Sequence, residues 1–272
     1  MTNKILILGN GMLGKTLRDY FISLEEYEVI TIHPDGQGRF PAQSYKDNIT
    51  KHDSPETLII NGVGQIPQKG KDFSINYELP KFLVDNINNA KVINISTDCV
   101  FSGKKFLTKA FVGNNNKYDE LDAAGEYGLS KIKGEQIING TEDSFKTIRT
   151  SIIGLGDSND HGLLCWLLTL PKNSTIRGFS NHFWQGLTTL ELSKFIHRVL
   201  SSWGEWDKLI QVGSKNIYSK YELLQIFRQV FKRKDVKILF DSHGYCNRSL
   251  VSDETMSDIE QQLIEFKKFY KI

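Results

Sequence analysis

Cysteine is scarce: Cys99, Cys165 and Cys246 are the only three in 272 residues, widely spaced and without a CxxC. A disulfide framework or a zinc knuckle needs more thiols set closer together, so neither is expected. The six histidines show no HxxxH or HExxH spacing, and no metal site is expected. An excess of charge is also lacking, with 34 Lys plus Arg against 32 Asp plus Glu and a formal net charge of +2. That balance gives no electrostatic reason to approach nucleic acid or an anionic membrane. The single basic run, Lys232-Arg233-Lys234, follows a helical pattern and reads as a solvated helix end, where cations meet the negative end of the dipole. Long apolar runs are missing too: the longest, residues 162–170, is far short of a membrane span. The opening Met1-Thr2-Asn3-Lys4 has no basic region, long apolar stretch or cleavage site of a signal peptide. A reduced, cytoplasmic protein is expected, and at this length it can bury a core without a disulfide, a metal or an obligate partner.

What is present is alternation. Lys4-Ile5-Leu6-Ile7-Leu8 is a continuous apolar run, and residues 14–24 then place Leu17, Tyr20, Phe21 and Leu24 at helical spacing. Further strands are predicted at 28–33, 57–61, 91–97 and 145–151, with helices between them near 75–89 and 127–139. Apolar strands alternating with amphipathic helices imply parallel pairing with both faces covered, an α/β doubly wound sheet. Beyond residue 151 the pattern loosens into helices at 189–201, 219–231 and 255–270, with short strands at 209–212 and 236–240. Only six prolines occur, and no Pro/Ser-rich linker separates the two parts. The expected division is a dinucleotide-binding domain at 1–151 and a smaller, mixed α/β substrate-binding lobe at 152–272, interleaved with the first.

Between the first strand and the first helix stands Gly9-Asn10-Gly11-Met12-Leu13-Gly14, a GxGxxG. Such a loop uses glycine for a tight turn, for close approach of backbone to a pyrophosphate, and for close packing of helix against strand. The helix N-terminus then offers unpaired N–H groups to the phosphates. A merely tight strand-to-helix turn is the alternative. The second strand should end beside the adenosine ribose. Here it ends in His33-Pro34, with Asp35 beyond and Arg39 in a Gly-rich loop. An uncharged tip with a nearby cation favours NADP over NAD, while Asp35 argues the other way.

A hydride transfer to a carbonyl needs a proton donor beside it. Tyrosine serves if a charge brings its pKa down from about 10, and a lysine four residues later on a helix lies on the same face. Tyr127-Gly128-Leu129-Ser130-Lys131 has this arrangement. With 10 Tyr and 26 Lys, about one YxxxK is expected by chance, and a second one is present at Tyr77 and Lys81. Pro80 falls inside that second spacing, at the first turn of an earlier helix. Tyr127 instead begins the helix after the fourth strand, whose carboxyl end carries Thr97, and ligands of doubly wound sheets gather at such ends. Thr97 and Tyr127 are therefore expected to converge on one substrate oxygen, with Tyr77 packing elsewhere.

At this point the chain resembles the extended short-chain dehydrogenase/reductases, and within them the dTDP-4-dehydrorhamnose reductase branch. The resemblance rests on Ser96-Thr97-Asp98-Cys99-Val100-Phe101-Ser102-Gly103, on Tyr127 to Lys131, and on Arg149-Thr150-Ser151; residues 181–192 (NHFWQGLTTLEL) and Arg248-Ser249-Leu250 are similar to the same branch. It implies hydride transfer from NAD(P)H to a keto carbon, C4, of a nucleotide-linked deoxy sugar, in the synthesis of an activated sugar for surface polysaccharide. Tyr127 would protonate the forming alkoxide, Thr97 would hydrogen-bond the same oxygen, and Lys131 would hold the nicotinamide ribose. Cofactor-lining positions would be residues 9–14, His33, Arg39, Asn61, Gly62, Val63, Gly64, Asn76, Ser96, Tyr127, Lys131 and Ile152. Asp98, Cys99 and Val100 would face the sugar, although Cys99 stands where the branch usually has tyrosine and reads equally well as a small buried thiol.

The substrate side has bland alternatives as well. Arg177, Asn181, His182, Trp184 and Arg248 are the candidates, since a guanidinium suits a pyrophosphate and an indole offers a flat face. Arg177 can equally sit in a surface loop, Trp184 in the core, and His182 can be a satisfied structural histidine. Relatives that dehydrate the sugar use an additional acid and base, commonly Asp-Glu, whereas Asp98 is followed by Cys99. Epimerases commonly keep an acid where His33 stands. Reduction is thus preferred to epimerisation or to a non-catalytic nucleotide-binding regulatory role. A homo-oligomer is allowed by the sequence.

Overall fold

The computed structural model describes residues 2–33, 40–104, 115–117, 119–156 and 162–272. In chain order its elements are β1 (Lys4–Leu8), α1 (Met12–Ser23), β2 (Glu28–Ile32), α2 (Gln43–Thr50), β3 (Thr57–Asn61), α3 (Ile75–Asn86), β4 (Lys91–Thr97), α4 (Glu126–Asn139) and β5 (Phe145–Thr150). Then follow β6 (Ile152–Ile153), α5 (Leu163–Thr169), β7 (Thr175–Phe179), β8 (His182–Trp184), β9 (Leu187–Thr188), α6 (Thr189–Ser201) and β10 (Leu209–Gln211). The last elements are β11 (Tyr218–Ser219), α7 (Lys220–Val230), β12 (Lys237–Asp241), β13 (Cys246–Asn247) and α8 (Ile259–Tyr270). The chain divides into two compact units, one of Met1–Val100, Ala123–Arg149 and Ser193–Ile210, the other of Phe101–Asp122, Thr150–Leu192 and Gln211–Ile272. It thus enters the second unit three times, at Phe101, Thr150 and Gln211.

The first unit is built on a six-stranded sheet in the order β10-β5-β4-β3-β1-β2, with β1 parallel to β2 and β3, and β3 parallel to β4. This is the doubly wound, Rossmann-like α/β architecture. Ile5, Leu6, Ile7 and Leu8 are completely buried, as are Leu58, Ile59 and Ile60, which is why these strands are continuous apolar runs without alternation. One face of the sheet packs on α2 and α3 through Leu6, Leu8, Ile59, Tyr45, Ile49, Leu79 and Leu83. Helix α1 begins at Met12, two residues before the apolar periodicity, because Gly11 is its N-cap.

The second unit has short strands and its own core. Its sheets are β11-β8-β13, β12-β7 and β6-β9. Trp184, Leu164, Leu167, Leu223, Phe227, Ile259 and Leu263 form the core around α5, α7 and α8. Helix α7 opens with a reciprocal capping box between Ser219 and Glu222. Helix α8 starts only at Ile259, later than its predicted 255, because Asp258 caps it by accepting from Glu260 N. Helix α5 is too short and too uniformly apolar to show a period, and its terminus explains the basic run. Arg233 donates from Nη1 to Leu167 O and Leu168 O at 2.8 and 2.6 Å, and from Nη2 to Leu170 O at 2.8 Å, while pairing with Asp235. The middle residue of Lys232-Arg233-Lys234 is therefore a cap on the carbonyls at the end of α5, with a side chain 15% exposed, and not a solvated face. Among the described residues no helix is long and apolar enough to cross a membrane, and no group of three or more His, Cys, Asp or Glu is placed to hold a metal ion.

Candidate functional site

Strand order in the first unit reverses between β1 and β3, since β2 lies on one side of β1 and β3 with β4 on the other. Loops leaving the carboxyl ends of strands at such a reversal diverge and leave a crevice for a ligand. Residues 9–14 leave β1 there, and residues 61–64 leave β3. The two loops touch: Gly62 N donates to Leu8 O at 3.2 Å, and a methyl group on Gly9 would meet Val63 Cγ2 at 3.1 Å.

The glycines differ in what they permit. Gly9 has φ +95°, a left-handed conformation that glycine adopts without strain. A methyl group on Gly14 would stand 2.1 Å from Gly9 O, so α1 packs on the loop with no room for a side chain. Around Gly11 the same construction meets nothing within 4 Å, which leaves the backbone bare at a helix N-terminus that no side chain caps. Asn10 Oδ1 is buried there without a hydrogen-bond partner. Uncapped N–H groups, bare backbone and an unused acceptor suit a dinucleotide's phosphates and hydroxyls. Gly14→Ala is expected to cost about 1–3 kcal/mol through forced separation of α1 from the loop. Thermal unfolding checks this against Gly11→Ala, which should stay closer to the wild type; equal melting temperatures for the two would contradict the close approach.

Polar side chains tie the crevice together. At the end of β3, Asn61 Nδ2 donates at 2.8 Å to Oδ1 of Asn94, midway along β4, while Asn61 Oδ1 accepts from Val63 N at 3.2 Å. Asn76 on α3 accepts from Gln65 N at 2.9 Å and donates to Gln65 O at 3.0 Å and Ser130 Oγ at 2.9 Å. Ser130 Oγ in turn donates to Tyr127 O at 2.7 Å, joining the loop after β3 to the start of α4. Ser96 Oγ is buried without a partner. Gln65, Asn94 and Ser130 were not singled out in the sequence. Ser130 stands inside the Tyr127 to Lys131 motif and Asn94 interrupts an apolar strand, so both left a trace; Gln65 left none.

Thr97, Tyr127 and Lys131 are brought together at the carboxyl end of β4. Thr97 Oγ1 donates to Asp98 Oδ1 at 3.1 Å and accepts from Cys99 N at 3.2 Å. Helix α4 lies against this turn so closely that a methyl group on Gly128 would meet Cys99 O at 2.2 Å. That approach seats Tyr127 beside Thr97, its ring 6.1 Å from that of Phe73. One turn later Lys131 Nζ donates to Ile95 O at 3.0 Å and faces Gly64, whose added methyl would stand 3.2 Å from it. Asp98 and Val100 are buried and Cys99 is half-buried. The second YxxxK pair lies elsewhere: the Tyr77 ring faces Lys133 Nζ at 5.1 Å, and Lys81 pairs with Asp85 on the surface.

The electrostatics differ from the expected tuning. Burial pushes the Tyr127 phenol well above its usual value, repulsion from Cys99 and Asp98 adds to this, and the Thr97 hydrogen bond opposes it. Burial also pulls Lys131 down to about 8, partly offset by Glu135. The lysine that was to draw the phenol towards neutrality is thus itself close to losing its charge, because desolvation acts on both groups. Tyr127 holds its proton throughout the neutral range, which is the form a proton donor needs.

His33 follows β2 and is half-buried; Asp35 and Arg39 lie outside the described residues. The remaining candidates lie in the second unit. Ile152 pairs with Leu187 between β6 and β9. Arg177 lies on a strand and not in a loop, 65% exposed and 3.9 Å from Asp241. Asn181 Nδ2 donates to Ser242 O at 2.8 Å, and the His182 ring stacks on Phe179 with centroids 4.5 Å apart. Arg248 Nε donates to Phe101 O at 3.0 Å. Trp184 is 8% exposed within the core, its Nε1 donating to Ser151 Oγ at 2.9 Å, and so offers no open face.

Residues 3–200 match the family model described as the RmlD substrate binding domain. No curated protein matches the chain. Among solved structures, dTDP-4-dehydrorhamnose reductase of Bacillus anthracis in complex with NADP is 17% identical with a TM-score of 0.81, the match covering 100% of each chain. A dTDP-4-dehydrorhamnose reductase of Clostridium acetobutylicum is 18% identical, TM-score 0.78, covering 99% of this chain and 100% of that one. The GDP-mannoheptose C4 reductase of Campylobacter jejuni with NADP bound is 13% identical, TM-score 0.71, covering 100% of this chain and 99% of that one. At such identities these likenesses speak for the fold, whereas the family model takes in well over half of the sequence. On that match, the chain belongs to the RmlD substrate binding domain family.

Proposed function

We propose that this protein is an oxidoreductase that uses NADPH, in preference to NADH, to reduce a keto group at C4 of a nucleotide-linked deoxy sugar, in the synthesis of an activated sugar for surface polysaccharide. The observation that carries the reading is the convergence of Thr97, Tyr127 and Lys131 at the carboxyl end of β4, with Thr97 and Lys131 buried and Tyr127 half-buried. Membership of the family and the NADP named for two of the similar structures support it. The cofactor supplies the hydride when bound. Residues 9–14 would receive its phosphates at the α1 N-terminus, and Asn61, Gly62, Val63, Gly64, Asn76 and Ser96 would line its course. Thr97 would orient the substrate oxygen and Tyr127 would give it a proton. The phenolate left behind would be stabilised by the Lys131 ammonium. NADPH oxidation in the presence of 4-keto-6-deoxy nucleotide sugars tests the reading. Turnover with at least one is expected; tight NADPH binding without turnover would make the protein a non-catalytic binder.

Lys131 gives the reading a pH signature. Its folded pKa, about 8, lies below the ordinary 10.5, so burial disfavours the ammonium, and the free protein gains stability from this group as pH rises between those values. An anionic ligand favours the ammonium. NADPH affinity is therefore expected to be level below that pH and to weaken as pH rises through about 8. Fluorescence titrations across that range check this, and Lys131→Met should remove the trend; a wild-type affinity independent of pH would contradict it.

A further inference from the structure

The second unit surrounds one half-buried arginine with a lattice of buried amide hydrogen bonds. Asn247 and Ser249, the neighbours of Arg248 on either side, are 0% exposed. One side chain holds both of their carbonyls: Asn115 Nδ2 donates to Asn247 O at 3.2 Å and to Ser249 O at 2.8 Å. The Asn115 backbone joins in, donating to Ser249 O at 2.9 Å and accepting from Val251 N at 2.9 Å. Gln211 Nε2 closes the arrangement on Asn115 O at 2.7 Å and Val251 O at 3.0 Å. Ser249 N and Oγ donate to Asn247 Oδ1 at 3.0 and 2.6 Å, Asn247 N donates to Gly103 O at 2.7 Å, and Arg248 Nε donates to Phe101 O at 3.0 Å.

Packing alone does not call for this. Amides are costly to bury and replaceable by apolar residues of similar volume, whereas a fully connected polar network fixes a single geometry. What it fixes here is three consecutive residues with an arginine at their centre. Arginine carries about 2 kcal/mol of rotamer freedom, and its planar fork recognises phosphate only in a defined orientation, so a held backbone and a held Nε lower the cost of that recognition. The charge acts locally, since Arg248 and Lys220 add to burial in lowering the pKa of His182. We propose that Asn115 is a positioning residue for Arg248, holding its guanidinium as a seat for the diphosphate of a nucleotide-linked substrate. This rests on the reading of the protein as a nucleotide-sugar reductase.

The test is a double-mutant cycle of the full chain with Asn115→Leu, Arg248→Ala and both, read by calorimetry with dTDP, UDP and GDP, and with NADPH as the control ligand. Leucine keeps the volume and adds no charge. Arg248→Ala is expected to weaken nucleoside diphosphate binding about tenfold or more, the loss of one charge-assisted contact. Asn115→Leu should weaken it severalfold, and the double variant should bind no worse than Arg248→Ala, with NADPH affinity unchanged throughout. Wild-type nucleotide affinity in Asn115→Leu, or losses that simply multiply in the double variant, would overturn the positioning role. If Asn115→Leu does not fold, Ser249→Ala removes another tie to the same segment and enters the same cycle. A wild-type protein that binds NADPH but none of the three nucleoside diphosphates would overturn the nucleotide-sugar reading, and this role with it.

Discussion

Tyr127→Phe is expected to lower turnover of a 4-keto-6-deoxy nucleotide sugar by roughly 10²–10⁴-fold while leaving NADPH affinity within about twofold. The ring would be retained, and with it the contact to Phe73 and the seating of α4 against the turn at Cys99. What disappears is one hydroxyl, beside Thr97 and protonated at neutral pH because burial holds its pKa high. A group that acts only by giving up a proton as the carbonyl is reduced contributes to the transition state and not to ground-state binding. kcat and kcat/KM should then fall together with KM little changed. Steady-state kinetics beside a direct NADPH titration separate the two. Near-normal turnover in the variant would remove Tyr127 as the proton donor and with it the chemistry proposed for Thr97 and Lys131.

Much of this was legible before any coordinates. β1 and β3 announced themselves as unbroken apolar runs because both faces of the sheet are covered, and the glycine loop could be read because each of its spacings answers a separate steric demand. Tyr127 was separable from Tyr77 by order along the chain, since only one of them follows the strand that ends in Thr97. Charge states were not legible. The pKa of Lys131 depends on how much water it keeps, and no spacing reports that. Arg233 escapes the sequence for a related reason: a basic run looks solvated until the terminal carbonyls of α5 are seen to accept from it. The Asn115 network was invisible because its members lie far apart in sequence and each is an ordinary polar residue alone. A near-neutral composition says nothing against anionic ligands, because a helix terminus and single arginines are able to supply positive potential at points.

Arg149→Met is expected to destabilise the protein by about 3–5 kcal/mol, a fall in melting temperature on the order of 10 °C. Arg149 on β5 and Glu135 on α4 are each 1% exposed and pair in a two-point fork, Nε to Oε1 at 3.1 Å and Nη2 to Oε2 at 2.6 Å. Removing the guanidinium leaves a buried carboxylate with its main partner gone, a larger loss than the net contribution of the pair itself. The double variant Glu135→Leu with Arg149→Met buries no orphaned charge and should recover much of the loss, as apolar replacements of buried ion pairs often do. Denaturant unfolding of the two variants and the wild type checks this; a double variant no more stable than Arg149→Met would show that the orphaned charge is not the cause. The recovered variant would still differ at the site. Glu135 lies one turn beyond Lys131 on α4, and its charge partly offsets the burial that drives the ammonium towards neutrality. Without it Lys131 should lose its proton at lower pH, so the weakening of NADPH binding should begin below the wild-type value of about 8 even though the fold is restored. An unshifted profile in a stable double variant would confine Glu135 to the structural pair.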